Sequence, residues 1–299
     1  MSKRSIELLV GDNPFHGISH LSQKRARSRS TEGLVFDVEI AARLVRISME
    51  NGATGFMFSV SETTLSILKA LDQRDKPDLY AIVPYAYEYV RLATRAGGIS
   101  GLAKRVIRRI VFSTSITTVA PHIIGLARVD PSALLNTYLV YEMSRIKSAA
   151  GKNARLKSVL LHEVITDMAL AFNLEKFVKS YINFLLKHKI KPGFETRNFA
   201  CLVTKFSEWN IDFSKMAIVA PFNKIGFQMN PSRIMCENAL KRISESEVIA
   251  MSILAAGYLK PLEAIDYLRS LPNLSGVVVG VSKEQQAKET FALLKESLD

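Results

Sequence analysis

The strongest constraint on this chain is a recurring order: an apolar run, a polar cluster, then a helical pattern. The runs in the second half are Lys157-Ser-Val-Leu-Leu-His162, Lys191-Pro-Gly-Phe-Glu195-Thr-Arg-Asn198, Met216-Ala-Ile-Val-Ala-Pro-Phe-Asn223, Val248-Ile-Ala-Met-Ser252 and Gly276-Val-Val-Val-Gly280. They recur at roughly 30-residue spacing, the signature of parallel strand–helix units. Parallel strands need covered faces, so such units close on themselves or stack between helix layers. In a closed barrel the C-terminal strand tips build the site.

The first half extends the pattern. Strands are expected at Ile6–Val10, Gly55–Val60 and Leu79–Val83, with helices from near Asp37 to Asn51 and from Glu62 to Leu71. Asp37 and Ser61 are suited to cap those helices. Ile40, Leu44, Val45, Ile47 and Ser48 mark the buried face of the first. Further strands fall at Leu156–Leu161, at the run ending in Glu195, and at Ala217–Pro221, Val248–Met251 and Val277–Val279. Helices are expected at Leu174–Lys187, around Leu202 to Phe206, after a first turn holding Pro231, after Pro261, and at Glu284–Ser297. Eight strand–helix pairs make a single (β/α)8 TIM barrel, an α/β fold, and 299 residues is ample for one. No linker divides the chain, so residues 1–299 read as one domain. An enlarged helical segment around 86–150 is expected to hold helices near Glu88–Arg109 and Pro131–Ala149.

The net charge is +12, which favours anionic partners. The basic runs Lys24–Arg29 and Lys104–Arg109 lack interleaved aromatics, so they read as solvated faces rather than a single-strand platform. An anionic small-molecule substrate is therefore expected ahead of nucleic acid. Two cysteines make no disulfide framework and suit a reducing compartment. Cys201, beside Leu202 and Phe206, is expected to be a buried thiol. The start has no apolar signal segment, and no run suits a membrane span. A cytoplasmic protein is the expectation.

Several short pieces then fall in a familiar order: Leu160-Leu161-His162, Lys189-Ile-Lys-Pro-Gly193, Arg197-Asn198-Phe199, Ala220-Pro221-Phe222-Asn223, Val248 through Gly257, Val278-Val279-Gly280, and Gln285 to Thr290. From about residue 155 onward the chain resembles the aldo-keto reductases, NADP-linked oxidoreductases. The first half is similar only through Gly11 and Asn51-Gly52. The resemblance implies hydride transfer from NADPH beside an Asp–Tyr–Lys–His tetrad, of which this chain matches only the histidine, at His162. Met57 stands where the aspartate is expected, Val83-Pro84 where the lysine is, and the segment that would bring the tyrosine is missing. On the cofactor side, Asn198 matches the residue that holds the nicotinamide carboxamide, and Ser252 with Leu254 the pyrophosphate loop. Met251 takes the place of the stacking aromatic. The basic residues of the phosphate site fall at Gly280 and Gln286.

Independently of that resemblance, the strand tips suggest chemistry. His162 can act as acid or base near neutral pH. Glu163 follows it, on the opposite face unless the strand has ended. Glu195 and Arg197 share a face by alternation, as an ion pair or as a base and an anion clamp. Asp12 can contact substrate at the first tip. Gly280 and Ser282 open the last helix, where main-chain N–H groups can bind phosphate. Ser282 could equally cap that helix. Tyr85 or Tyr87 could supply a proton. Asp12, His16 and His20 have a spacing that would hold a metal on a regular helix, but Pro14 and Gly17 oppose one. Metal-dependent hydrolase or lyase chemistry and a non-catalytic barrel binding a metabolite or nucleic acid are the alternatives.

Overall fold

The computed structural model describes residues 6–16, 37–71, 77–84, 131–151 and 154–298. The parallel strands are β1 Glu7–Gly11, β2 Gly55–Ser59, β3 Asp78–Val83, β4 Arg155–Leu161, β5 Lys191–Glu195, β6 Ala217–Pro221, β7 Glu247–Met251 and β8 Leu274–Gly280. They pair in sequence order, and β1 pairs with β8, closing an eight-stranded barrel. Helices among the described residues are α1 Val38–Glu50, α2 Glu62–Ala70, α3 Pro131–Ala150, α4 Glu163–Ala171, α5 Glu175–Lys187, α6 Phe199–Glu208, α7 Arg233–Lys241, α8 Pro261–Ser270 and α9 Glu284–Leu298. The architecture is the expected (β/α)8 barrel. Tyr85, Tyr87, His20, both basic runs and the helix expected near 88–109 lie outside the described residues. Among the described residues no helix is long and apolar enough to cross a membrane.

Two cores follow from the two-residue strand period. Outward residues such as Phe56, Phe58, Phe194 and Ile218 pack against the helices. Inward residues Leu9, Met57, Tyr80, Ile82, Leu160, Val219, Ile249, Met251 and Val278 fill the barrel. Gly193 is needed by this filling: a Cβ there would stand 2.2 Å from Leu160 Cδ2, so the glycine leaves the space that Leu160 occupies. At the N-terminal end the filling turns polar. Tyr80 donates to a Glu7 carboxylate, and its oxygen lies 2.8 Å from Glu247. Lys157 pairs with Glu7, and Lys191 with Glu247. The β3–β4 register skips Lys157, and this bulge lets its side chain join the barrel floor.

Local chemistry sets the helix ends. Asp37 accepts from the Glu39 N–H at 2.8 Å, and Ser61 forms a capping box with Thr64. Pro261 opens α8, where its missing N–H costs nothing. Pro231, however, precedes its helix: Ser232 caps α7 and the helix starts at Arg233. Ile40 of α1 is exposed, because Ala41 and Ala42 complete the buried face. Cys201 is exposed and Cys236 buried. The core face of α6 runs through Phe199, Leu202, Val203 and Phe206, which turns residue 201 outward. The last helix begins at Glu284, and its first bond runs from the Ala287 N–H to the Lys283 carbonyl, so Ser282 is not its cap.

Candidate active site

β4 ends at Leu161, and its register with β5 pairs Leu161 with Phe194. The next positions, His162 and Glu195, therefore stand side by side at adjacent tips, on the inward face shared by Leu160 and Gly193. Glu195 is buried, next to Val219 in the β5–β6 register. Loss of water raises its pKa to about 8, with Glu163 adding to the rise and Arg197 opposing it. The carboxyl is therefore protonated at neutral pH. Asp12, just past β1 at the other side of the barrel, adds a smaller push in the same direction.

His162 is half-buried and opens α4. Its Nδ1 accepts from the Val164 N–H at 3.2 Å. A main-chain N–H can only donate, so the neutral ring carries its proton on Nε2. Burial lowers the His162 pKa; Glu163 pulls it up against this, and Arg197 adds a smaller downward push. The ring is a neutral donor at pH 7.

Because the strand has ended, Glu163 is the first residue of α4 rather than an outward strand residue. It is Glu163 that pairs with Arg197, Nε to Oε2 at 2.6 Å, where alternation suggested Glu195 as partner. The Glu163 N–H meets Glu195 Oε2 at 3.4 Å. α4, which the sequence pattern did not disclose, also brings in Asp167. Its carboxylate accepts from Thr196 Oγ1, from the Arg197 N–H at 3.3 Å and from Asn198 Nδ2 at 3.0 Å. Burial raises the Asp167 pKa, and these three bonds oppose the rise. The signal that could have located Asp167 is weak. Thr166, Ala169 and Leu170 make a narrow buried face, but exposed Val164, Met168 and Phe172 blur it.

On the opposite side, Asp12 Oδ2 accepts from the Ser59 N–H at 2.7 Å and lies 3.0 Å from His16 Nε2. Residues Asn13–His16 form one 3-10 turn. Among the described residues no group of three or more His, Cys, Asp or Glu is placed to hold a metal. Met57 and Met251 both point into the barrel, so the positions expected to be acidic and aromatic are apolar.

The cofactor candidates divide. Asn198 stands at the N-terminal boundary of α6 without a side-chain cap bond, and one of its amide N–H groups is committed to Asp167. Ser252 sits in the left-handed region at φ 53°, with its hydroxyl 3.5 Å from Gln228 Oε1. Both follow strand tips on the β5–β7 side. At the phosphate end the chain satisfies itself. A Cβ on Gly280 would stand 2.8 Å from Pro14 of the first loop, and the Ser282 N–H donates to Gln286 Oε1 at 3.0 Å.

No family model matches the chain, and no curated protein matches it. Solved structures do. A Pseudomonas aeruginosa protein assigned to the aldo-keto reductases superposes with a TM-score of 0.60 at 13% identity, over 99% of this chain and 92% of that one. A second structure so assigned, from the same organism, gives 0.61 at 12% identity over 99% and 91%. An aldo-keto reductase from a Medee basin deep-sea metagenome library gives 0.52 at 11% identity, over 98% and 86%. The likeness is one of fold: the chain is a (β/α)8 barrel similar in fold to those aldo-keto reductases.

Proposed function

We propose that the chain is an oxidoreductase-type barrel enzyme in which Glu195 protonates a carbonyl oxygen of a small anionic molecule. The observation that carries this reading is the Glu195 carboxyl, held protonated up to about pH 8 at the barrel mouth beside His162. General acids work best with a pKa near the working pH, and this one lies there. In the resembling family a tyrosine plays that part, and this chain lacks the segment for it.

A reduced nicotinamide, when bound, supplies hydride. The nicotinamide end fits the residues present: Asn198 keeps its amide oxygen for a carboxamide, and Ser252 stands on the same side. The phosphate end fits less well, because Gln286 takes the Ser282 N–H. The other steps rest on this chain's side chains. His162 Nε2–H donates to the substrate oxygen and orients it. Glu195 delivers its proton to that oxygen. The resulting carboxylate is then stabilised by the Arg197 charge and the Glu163 N–H. Val219, beside it in the β5–β6 register, helps keep the acid out of water. Two free cysteines suit the cytoplasm as its compartment.

Titration with NADPH and NADH, followed by intrinsic nucleotide fluorescence, tests the reading. Binding of either is expected. No binding of either at about millimolar concentration, a weak affinity on any scale, would remove the oxidoreductase assignment.

A further inference from the structure

The mouth contains one cationic side chain in an unusual condition. Arg197 stands two residues beyond Glu195 on the same chain segment. Its Nε pairs with Glu163 at 2.6 Å. Its Nη1 is buried and has no hydrogen-bond partner among the described residues. A buried guanidinium N–H without an acceptor is costly, and such groups are normally matched. The backbone fixes the residue on both sides: its N–H donates to Asp167 and its carbonyl accepts from the Asn230 N–H at 3.1 Å. The backbone is thus fixed, Glu163 holds the guanidinium, and the guanidinium charge is felt by the proposed acid.

We infer that Arg197 anchors the substrate through a carboxylate, and that the substrate is a small carboxylic acid with a carbonyl or hydroxyl one or two carbons away. This rests on the reading of Glu195 as the acid and names the substrate class for that site. Guanidinium and carboxylate pair through parallel bonds, which fixes orientation as well as affinity. With the carboxylate on Arg197, the neighbouring oxygen is directed to Glu195, two residues back, and to His162 at the adjacent strand tip. A phosphate ester is the poorer fit. Glu163 already offsets the arginine charge, and Asp167 and Asp12 add negative charge nearby. One half-neutralised cation can balance a single negative charge but not a dianion.

The test uses the full chain without nucleotide, so it is independent of nicotinamide binding. Calorimetric titrations compare pyruvate, 2-oxobutyrate, methyl pyruvate and inorganic phosphate. The two acids are expected to bind at least about tenfold more tightly than the uncharged ester or phosphate. Arg197→Gln should weaken pyruvate binding by about tenfold to a hundredfold. Glu163→Gln keeps the arginine and removes the carboxylate charge that offsets it, so it should tighten pyruvate binding several-fold; it decides the matter if Arg197→Gln does not fold. Equal binding of ester and acid, tighter binding of phosphate, no binding of either acid, or unchanged binding in Glu163→Gln would overturn the inference. If the acids bind and neither NADPH nor NADH does, the anchor stands and the redox assignment falls. If a nucleotide binds and the acids do not, the reverse holds.

Discussion

The Glu163 N–H lies 3.4 Å from Glu195 Oε2, so the first turn of α4 touches the acid at the tip of β5. This contact joins the two neighbouring units that supply His162, Glu163, Asp167, Glu195, Arg197 and Asn198. One side of the barrel thus holds a proton donor, a neutral histidine and an arginine. The opposite side holds the Asp12–His16 pair, fastened to β2 through Ser59.

Glu195 should make stability depend on pH. Its ordinary value is 4.5, and in the folded chain it titrates at about 8. Between those values the native state keeps a proton that the unfolded chain has lost. Its contribution is full below about pH 4.5 and is lost as pH rises through about 8. Glu195→Gln cannot ionise and should remove that slope. Melting curves from pH 5 to 9 on both proteins are expected to diverge on the alkaline side, by on the order of a few kcal/mol. Parallel curves would show that Glu195 ionises normally. The same substitution should lower turnover of the cognate substrate by about 10²–10⁴-fold.

His162 serves both the helix and the site. Its Nδ1 caps the Val164 N–H, so His162→Ala should cost about 0.5–2 kcal/mol, the range of a lost cap. If Nε2–H also orients the substrate, turnover should fall by about 10²–10⁴-fold. His162→Asn can restore the cap without restoring the ring. Recovery of melting temperature with activity still low would separate the two roles. Intact activity in His162→Ala would mean that the ring is structural only.

The strands were legible because each inward and outward apolar alternation is local. Ala217–Pro221 was readable residue for residue, and so were the caps at Asp37 and Ser61, where a short side chain reaches its own neighbours. α4 was hidden because its exposed face carries Val164, Met168 and Phe172, which erase the amphipathic contrast. Missing that helix also misdirected Arg197, since only a helix starting at Glu163 brings a second carboxylate within reach. The protonation of Glu195 was not readable either. It depends on burial against Val219 and on charges from just past β1 and from α4, which sequence separation conceals.

At the floor of the barrel, one Tyr80 hydroxyl faces both Glu7 and Glu247, each paired with a lysine. The surroundings, burial first, raise the Tyr80 pKa far above its ordinary range, so it remains a donor. Tyr80→Phe should cost about 1–3 kcal/mol in urea denaturation, because it leaves a buried acceptor unsatisfied. Ligand binding at the mouth should be unchanged, since this layer lies at the opposite end of the strands. A change in binding without loss of stability would show that the two ends are coupled.

Arg145 gives the sharpest stability test. Its side chain is fully buried between α3 and α2. Its Nη1 bonds Glu142 Oε2 at 3.0 Å, and its Nη2 bonds Glu62 Oε1 at 2.8 Å. Glu142 is buried too, whereas the Glu62 side chain is 64% exposed. Breaking a buried ion pair by removing one member is strongly destabilising, so Arg145→Ala should cost about 3–5 kcal/mol. Glu62→Gln should cost at most about 1 kcal/mol, because water screens that pair. Arg145→Met combined with Glu142→Leu should recover most of the loss, since apolar residues of similar size need no partner. Chemical denaturation of the four proteins checks the order. If the double replacement is as unstable as Arg145→Ala, the network does more than neutralise its own charges, and the seat of α3 on α2 depends on its directed hydrogen bonds.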